Sequence, residues 1–185
     1  MEMSLKHHFL LAMPGLEIAG DYFANTITYV CEHNEDGALG LMVNRPLQLS
    51  LEELLSQLGI STTPRLGQPV MEGGPVRKER GFILHSDEKQ YETSLSLGHG
   101  LMLSTARATL ESIGSGAGPD RYLVALGYAG WEAGQLEREL TQNAWLTCPA
   151  STEILFDVPF ERRVDEAART LGIDFRLMST QAGHA

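Results

Sequence analysis

The sequence predicts an α+β protein, in which strands pair with near neighbours along the chain and helices lie between them, and three observations carry that expectation. Residues 26–32 alternate with the two-residue period of a strand, then pass through turn residues ending in Asp36-Gly37 into the apolar run 38–43, which together read as a hairpin. Ser50 and Glu53 form a capping box ahead of Leu51, Leu54, Leu55 and Leu58, with Gly59 as the stop, the mark of a short helix. The remaining strand-like and helix-like segments follow one another without the regular alternation of a doubly wound parallel sheet.

Taken in order, His7 and His8 make the polar start of a first strand that continues into the apolar run Phe9 to Met13. In 26–32, Ile27, Tyr29 and Cys31 share one face, and Thr28, Val30 and Glu32 the other. Pro46 is expected to end the hairpin. The polar stretch Ser61 to Pro69, with Pro64 and Gly67, reads as a loop. Arg80–His85 and Tyr91–Leu97 read as strands across a charged turn and are suited to pairing with each other. Leu101, Leu103, Ala106, Leu110 and Ile113 fit either one helical stripe or a strand-to-helix junction, with Ser104 and Thr105 as candidate caps. The glycines from Gly114 do not make a dinucleotide loop, because they follow a helix and Pro119 stands where the last glycine belongs. Arg121–Tyr128 is a second strongly apolar strand. A short acidic helix with Leu136 and Leu140 and a strand over Ala144–Thr147 come next. A helix from about Pro159 presents Phe160, Val164, Ala167, Ala168 and Leu171, and the tail from about Ser179 is expected to be loose. No repeat or linker divides the chain, so residues 1–185 read as a single domain.

Composition excludes several function classes. With 185 residues and 43% hydrophobic content the chain can bury a real core, and its apolar runs are far shorter than the roughly 20 residues that cross a bilayer. Two cysteines and the absence of a recognisable leader point to the cytoplasm with reduced thiols. A net charge of -10 opposes polyanions. The best basic stretch, Arg77, Lys78 and Arg80, is followed by Asp87 and Glu88. Arg162 and Arg163, flanked by Glu161, Asp165 and Glu166, read as a solvated helix face. Cys31 shares a face with Ile27 and Tyr29 and reads as a buried thiol. The six histidines lack zinc-ligand spacing, so no metal, cofactor or catalytic residue is expected.

Three clusters remain as candidates for a ligand or partner surface. Asn44-Arg45 places a guanidinium where an apolar strand ends, a position suited to planar anions as well as to a local ion pair. Gly73-Gly74, inside Glu72-Gly73-Gly74-Pro75, offers backbone amides in a turn that could cradle an anion. Tyr128, Gly130, Trp131 and Gln135 join a buried strand to a helix with aromatic walls and polar edges, as ligand clefts are often lined.

The strings HHFLLAMP from His7, TITYVCEHNEDGALGLMVNRP from Thr26, MEGGPV from Met71, RGFILH from Arg80, GYAGWEAGQLEREL from Gly127 and NAWLTCPA from Asn143 resemble the AlgH/YqgE family of bacterial proteins over nearly the whole chain. The resemblance implies an α+β domain with a small closed barrel-like sheet that branches into hairpins and is surrounded by helices. The segment GLEIAGDYF from Gly15 departs from that family's usual loop between its first two strands. The resemblance implies little about activity, since the family is essentially uncharacterised and carries the label of transcriptional regulator through an association with alginate regulation. No helix-turn-helix with a basic recognition helix is visible, so direct DNA contact is not expected. The first expectation is therefore a non-catalytic regulatory or adaptor domain, with a protein or small-molecule partner, whose Asn44-Arg45, Gly73-Gly74 and Gly130-Trp131 loops converge. The alternative is an enzyme or sensor acting on a phosphorylated or carboxylated small molecule, with Arg45 as anion clamp and His85 or Glu72 moving a proton.

Overall fold

The structure, a computed structural model, describes residues 4–14 and 21–174. In chain order the elements are β1 (His8–Ala12), β2 (Ile27–Asn34), β3 (Gly37–Met42), β4 (Pro46–Ser50), α1 (Leu51–Gln57), β5 (Pro69–Glu72), β6 (Val76–Ser86), β7 (Ser94–Gly98), β8 (Leu101–Ser104), α2 (Arg107–Gly114), β9 (Tyr122–Glu132), α3 (Gln135–Thr141), β10 (Trp145–Pro149), α4 (Thr152–Phe156) and α5 (Arg163–Arg169). This is the α+β class that the sequence predicts. All strand pairs are antiparallel except that of β5 with β9. The loop from Gly15 and the tail from Ser179 fall largely or wholly outside the described residues. Among those that are described, no helix is long and apolar enough to cross a membrane.

The chain forms two compact units, residues 1–44 with 129–185, and residues 45–128. In the first, strands run in the order β10, β1, β2, β3 and the last four residues of β9. The β2–β3 hairpin closes through Glu35-Asp36, with Asn34 opposite Gly37. A Cβ on Gly37 would lie 2.2 Å from the Trp131 carbonyl oxygen, so only glycine admits the neighbouring strand here. The expected alternation along β2 does not separate core from solvent: Thr28 and Val30 are as buried as Ile27, Tyr29 and Cys31, because both faces of the strand are covered.

In the second unit the predicted capping box is present: Ser50 Oγ accepts from the Glu53 amide at 3.1 Å, and Glu53 Oε1 accepts from the Ser50 amide at 3.0 Å. Leu51, Leu54 and Leu55 of α1 then pack with Ile60, Val70, Ile83, Leu110, Ile113 and Val124 in one core. The β2–β3 hairpin ends before Pro46, as expected, and Pro46 then opens a new strand, which costs no hydrogen bond at a strand's first residue. The polar stretch after α1 is a loop as far as Gln68, and β5 begins at Pro69. One expectation is corrected here. β6 and β7 do not pair with each other; β8 lies between them, and the hairpin is β7–β8, turned by Gly98 and Gly100 with φ of 73° and 76°. The segment from Leu101 resolves as the junction, a strand followed by α2, and Ala106 stands at the cap position without a side-chain bond.

The chain's end also differs from expectation. α4 was not foreseen, and the helix expected from Pro159 is a short 3-10 turn followed by α5. Arg163 does not face water. It is buried, donating to the carbonyls of Val158 and Val43, while Arg162 takes the exposed position and pairs with Glu166. Burial pulls the Arg163 guanidinium down to about 10, with Glu161 acting in the opposite direction.

Burial pushes the Cys31 thiol well above its ordinary range, and Glu32 adds to the effect; burial raises the Tyr29 hydroxyl likewise. The folded chain therefore keeps protons that the unfolded chain releases at about 9 for the thiol and 10 for the phenol. Raising the pH favours the unfolded chain, and stability is expected to fall as pH climbs past the thiol's ordinary value. Urea midpoints measured on either side of that pH test this, and a midpoint that stays level contradicts it.

Candidate functional site

In the first unit the expected aromatic surface is a core. Residues 129–132 are not a loop; they continue β9, with Gly130 opposite Leu39 and Trp131 opposite Ala38. Trp131 is 6% exposed and packs with Leu10, Val30, Leu136 and Trp145. Its ring stacks on Phe23 at 6.4 Å and meets Trp145 edge-on at 5.9 Å. Both indoles donate to the same oxygen, Glu139 Oε1, at 3.0 Å from Trp131 and 2.8 Å from Trp145. Gln135 donates to Glu139 Oε2 at 2.9 Å and accepts from the Glu132 amide at 3.0 Å, tying α3 to the end of β9. Buried indole N–H groups need acceptors, and one carboxylate serves both. Asn44 is likewise engaged: its Oδ1 accepts from the Ile27 amide at 3.0 Å and its Nδ2 donates to the Asn25 carbonyl at 2.9 Å. His33, also buried, accepts the Leu5 amide on Nδ1 at 2.9 Å. The Nε2 atom of His33 stands 3.4 Å from Glu137, without hydrogen-bond alignment.

In the second unit Arg45, Gly73, Gly74 and Tyr128 are brought to one place. The Glu72 amide donates to the Arg45 carbonyl and the Gly73 amide to the Leu126 carbonyl, both at 2.8 Å. A Cβ on Gly73 would stand 2.2 Å from the Gly127 carbonyl oxygen. Gly127 is left-handed, with φ of 79°, and a Cβ there would stand 2.5 Å from the Gly74 carbonyl oxygen and 3.2 Å from the Lys78 Cα. The paired glycines are thus used for close backbone packing, and the Gly73 amide offered to an anion is already bonded.

The consequence appears in β6. Val76 pairs with Tyr128, but the next paired residue is Gly81, opposite Leu126. Arg77, Lys78, Glu79 and Arg80 therefore stand opposite Gly127 alone, as an enlarged β-bulge, and all four are exposed. Arg77 holds a left-handed φ of 45°. Arg80 lies 5.8 Å from the centre of the Phe82 ring, which meets Tyr128 edge-on at 5.6 Å. Sequence reasoning had set this basic stretch aside because acidic residues follow it. The available signal was the excess of strand-forming positions between Val76 and His85 over those facing them in 122–128. Charge is unevenly divided: the first unit has fifteen acidic and six basic residues, the second nine and eight.

His85 is elsewhere. It pairs with Tyr122, whereas Glu72 pairs with Leu126 on the other flank of β9. Four residues along the strand and two strand spacings across separate them by about 13 Å and about 10 Å respectively. His85 is fully buried, its Nδ1 donating to the Ser86 carbonyl at 2.7 Å, and its ring meets Tyr91 edge-on at 5.5 Å. Beside it Glu88 is held below the usual carboxylate range: burial pulls the other way, but the Asp120 amide and the Ser86 hydroxyl outweigh it. Among the described residues no group of three or more His, Cys, Asp and Glu side chains is placed to hold a metal.

These features define an α+β protein with an antiparallel, hairpin-rich sheet and an uneven distribution of charge. Its sequence matches the model of the family described as AlgH-like over residues 9–176, and the chain belongs to that family. It is 54% identical to a UPF0301 protein of Stutzerimonas stutzeri over 184 residues, 98% of this chain and 96% of the relative. It is 51% identical to the UPF0301 protein AlgH of Pseudomonas aeruginosa over the same shares. The solution structure of AlgH from Pseudomonas aeruginosa is similar with a TM-score of 0.80 at 50% identity, covering 100% of this chain and 98% of that one. The crystal structure of protein DIP2367 from Corynebacterium diphtheriae shares the fold, with a TM-score of 0.74 at 19% identity over 97% and 93%.

Two substitutions test the packing. Gly127→Ala should cost about 2–4 kcal/mol, combining left-handed strain with backbone overlap, whereas Gly59→Ala, where the same φ region opens on empty space, should cost about 1 kcal/mol. Equal losses in urea denaturation would contradict the close approach. Glu139→Leu should strand two indole N–H groups and cost about 1–3 kcal/mol, with a changed fluorescence spectrum, since Trp131 and Trp145 are the only tryptophans. Glu139→Gln, which keeps an acceptor, should lie much closer to the parent.

Proposed function

We propose that this protein is a non-catalytic binding domain of regulatory or adaptor type. Its recognition surface is the exposed Arg77–Arg80 bulge of the second unit, together with exposed Pro75 and half-buried Arg45 and Glu72. The observation that carries this reading is the bulge itself: four consecutive exposed side chains seated on a glycine contact that no other residue type permits. A surface displayed on a rigid support is how scaffolds present recognition residues.

The nucleophilic and proton-transfer candidates support the same reading. Cys31 and Cys148 are buried, their thiols pushed up by desolvation, which removes the thiolate that nucleophilic chemistry needs. The distance between His85 and the Arg45–Glu72 region counts against an enzyme that would use them together. Two buried, unpaired cysteines fit a cytoplasmic setting. Any influence on transcription would pass through a partner protein rather than through DNA, given the acidic first unit.

A photo-crosslinking amino acid placed at position 79, exposed on the bulge between Lys78 and Arg80, should yield discrete protein adducts in cells. The same group at Glu153, exposed on α4 of the first unit, should not. No adducts from position 79, or the same adducts from both positions, would overturn the proposal.

A further inference from the structure

Arg77 occupies a backbone conformation that a side chain resists and glycine accepts, with φ of 45°. Nothing in its packing calls for an arginine there, since the residue is exposed. A strained, exposed cation is accounted for if the side chain is used outside the fold. Arg80, close by on the same bulge, is held over the Phe82 ring, so its guanidinium is ordered before any ligand arrives.

Two guanidinium forks match the planar geometry of carboxylates, each able to make a bidentate pair. A nucleic acid would present a continuous run of phosphates. Glu79 interrupts the cations Arg77, Lys78 and Arg80, and Glu72 precedes them, which breaks the continuous positive track that such a run needs. Cations interspersed with carboxylates suit a partner whose own carboxylates are spaced and whose intervening positions are neutral or basic. We infer that the Arg77–Arg80 bulge docks a carboxylate-rich segment of a partner protein, with Arg77 and Arg80 as its two anchoring residues. This assignment rests on the recognition surface proposed above and names the chemistry that it reads.

The experiment uses the full chain and three fluorescein-labelled probes: a peptide of alternating Glu and Gly, a single-stranded oligonucleotide, and a duplex of matched charge. Binding is followed by anisotropy at low and high salt. The peptide should bind most tightly and weaken with salt. Arg77→Gly and Arg80→Ala should each reduce peptide affinity roughly tenfold, the scale of one charge-assisted pair. Lys89→Ala, which removes an exposed cation from the turn after β6, should leave it unchanged. Arg77→Gly should also hold or raise the melting temperature, because glycine relieves the left-handed strain. A role confined to the fold would instead lower it. Tighter binding of either oligonucleotide, no peptide binding, or equal binding by Arg77→Gly would overturn the assignment. Should the peptide fail while position 79 still crosslinks in cells, the surface stands and its acidic partner does not; loss of both ends both readings.

Discussion

The second unit depends on how closely two stretches of backbone approach at Gly127. The carbonyl of Gly74, the carbonyl of Val76 and the Cα of Lys78 all lie where a side chain would begin. That contact lets β5 run parallel to β9 on one flank while β6 runs antiparallel on the other. β6 then has more residues to place than β9 has partners for, and the surplus is expelled as the basic bulge. Placement of the arginines is therefore a by-product of backbone packing, decided by glycines that carry no chemistry themselves.

The first unit is organised around polar groups enclosed by apolar ones. Glu139 receives both tryptophans, Asn44 spans from the end of β3 to the residues that open β2, and Arg163 binds two carbonyls from different parts of the chain. Each removes a hydrogen-bonding deficit that the surrounding core would otherwise impose. Such groups specify geometry, since few alternative packings would satisfy all of them together.

Local signals in the sequence read well where the physics is local. The capping box of α1, the β2–β3 hairpin and the apolar strand from Tyr122 depend on neighbours within a few residues and are present, although the hairpin turns through Glu35-Asp36, one residue ahead of the Asp36-Gly37 signal. Pairing between distant segments was not legible in that way. β8 separates β6 from β7 by pairing with both, a choice of partners that no local pattern encodes. Trp131 looked like a surface aromatic because glycines flank it, but Gly130 only continues β9 and Gly134 opens α3, and the indole lies inside. Arg163 looked solvated because its neighbours are charged, yet one position along a helix changes the face by about 100°, enough to turn a side chain from water to core. Of the candidate site, Arg45, Gly73, Gly74 and Tyr128 come together in one unit. The bulge beside them depends on a count of residues across two strands, which needs the register.

The order of the chain has a consequence for synthesis. The first unit is assembled from two ends, residues 1–44 and 129–185, with the whole of 45–128 made between them. As the ribosome works forward, β1, β2 and β3 can pair early, but the other edge of β1 must wait for β10 and that of β3 for the end of β9. Until then Leu10, Val30 and Leu41 have no complete core, and their exposed edges invite non-native pairing. The contiguous 45–128 segment needs nothing from later in the chain and can close first. Chains truncated just short of Trp131 and released would thus hold the contiguous unit and one open sheet, the state in which this protein is most in need of a chaperone.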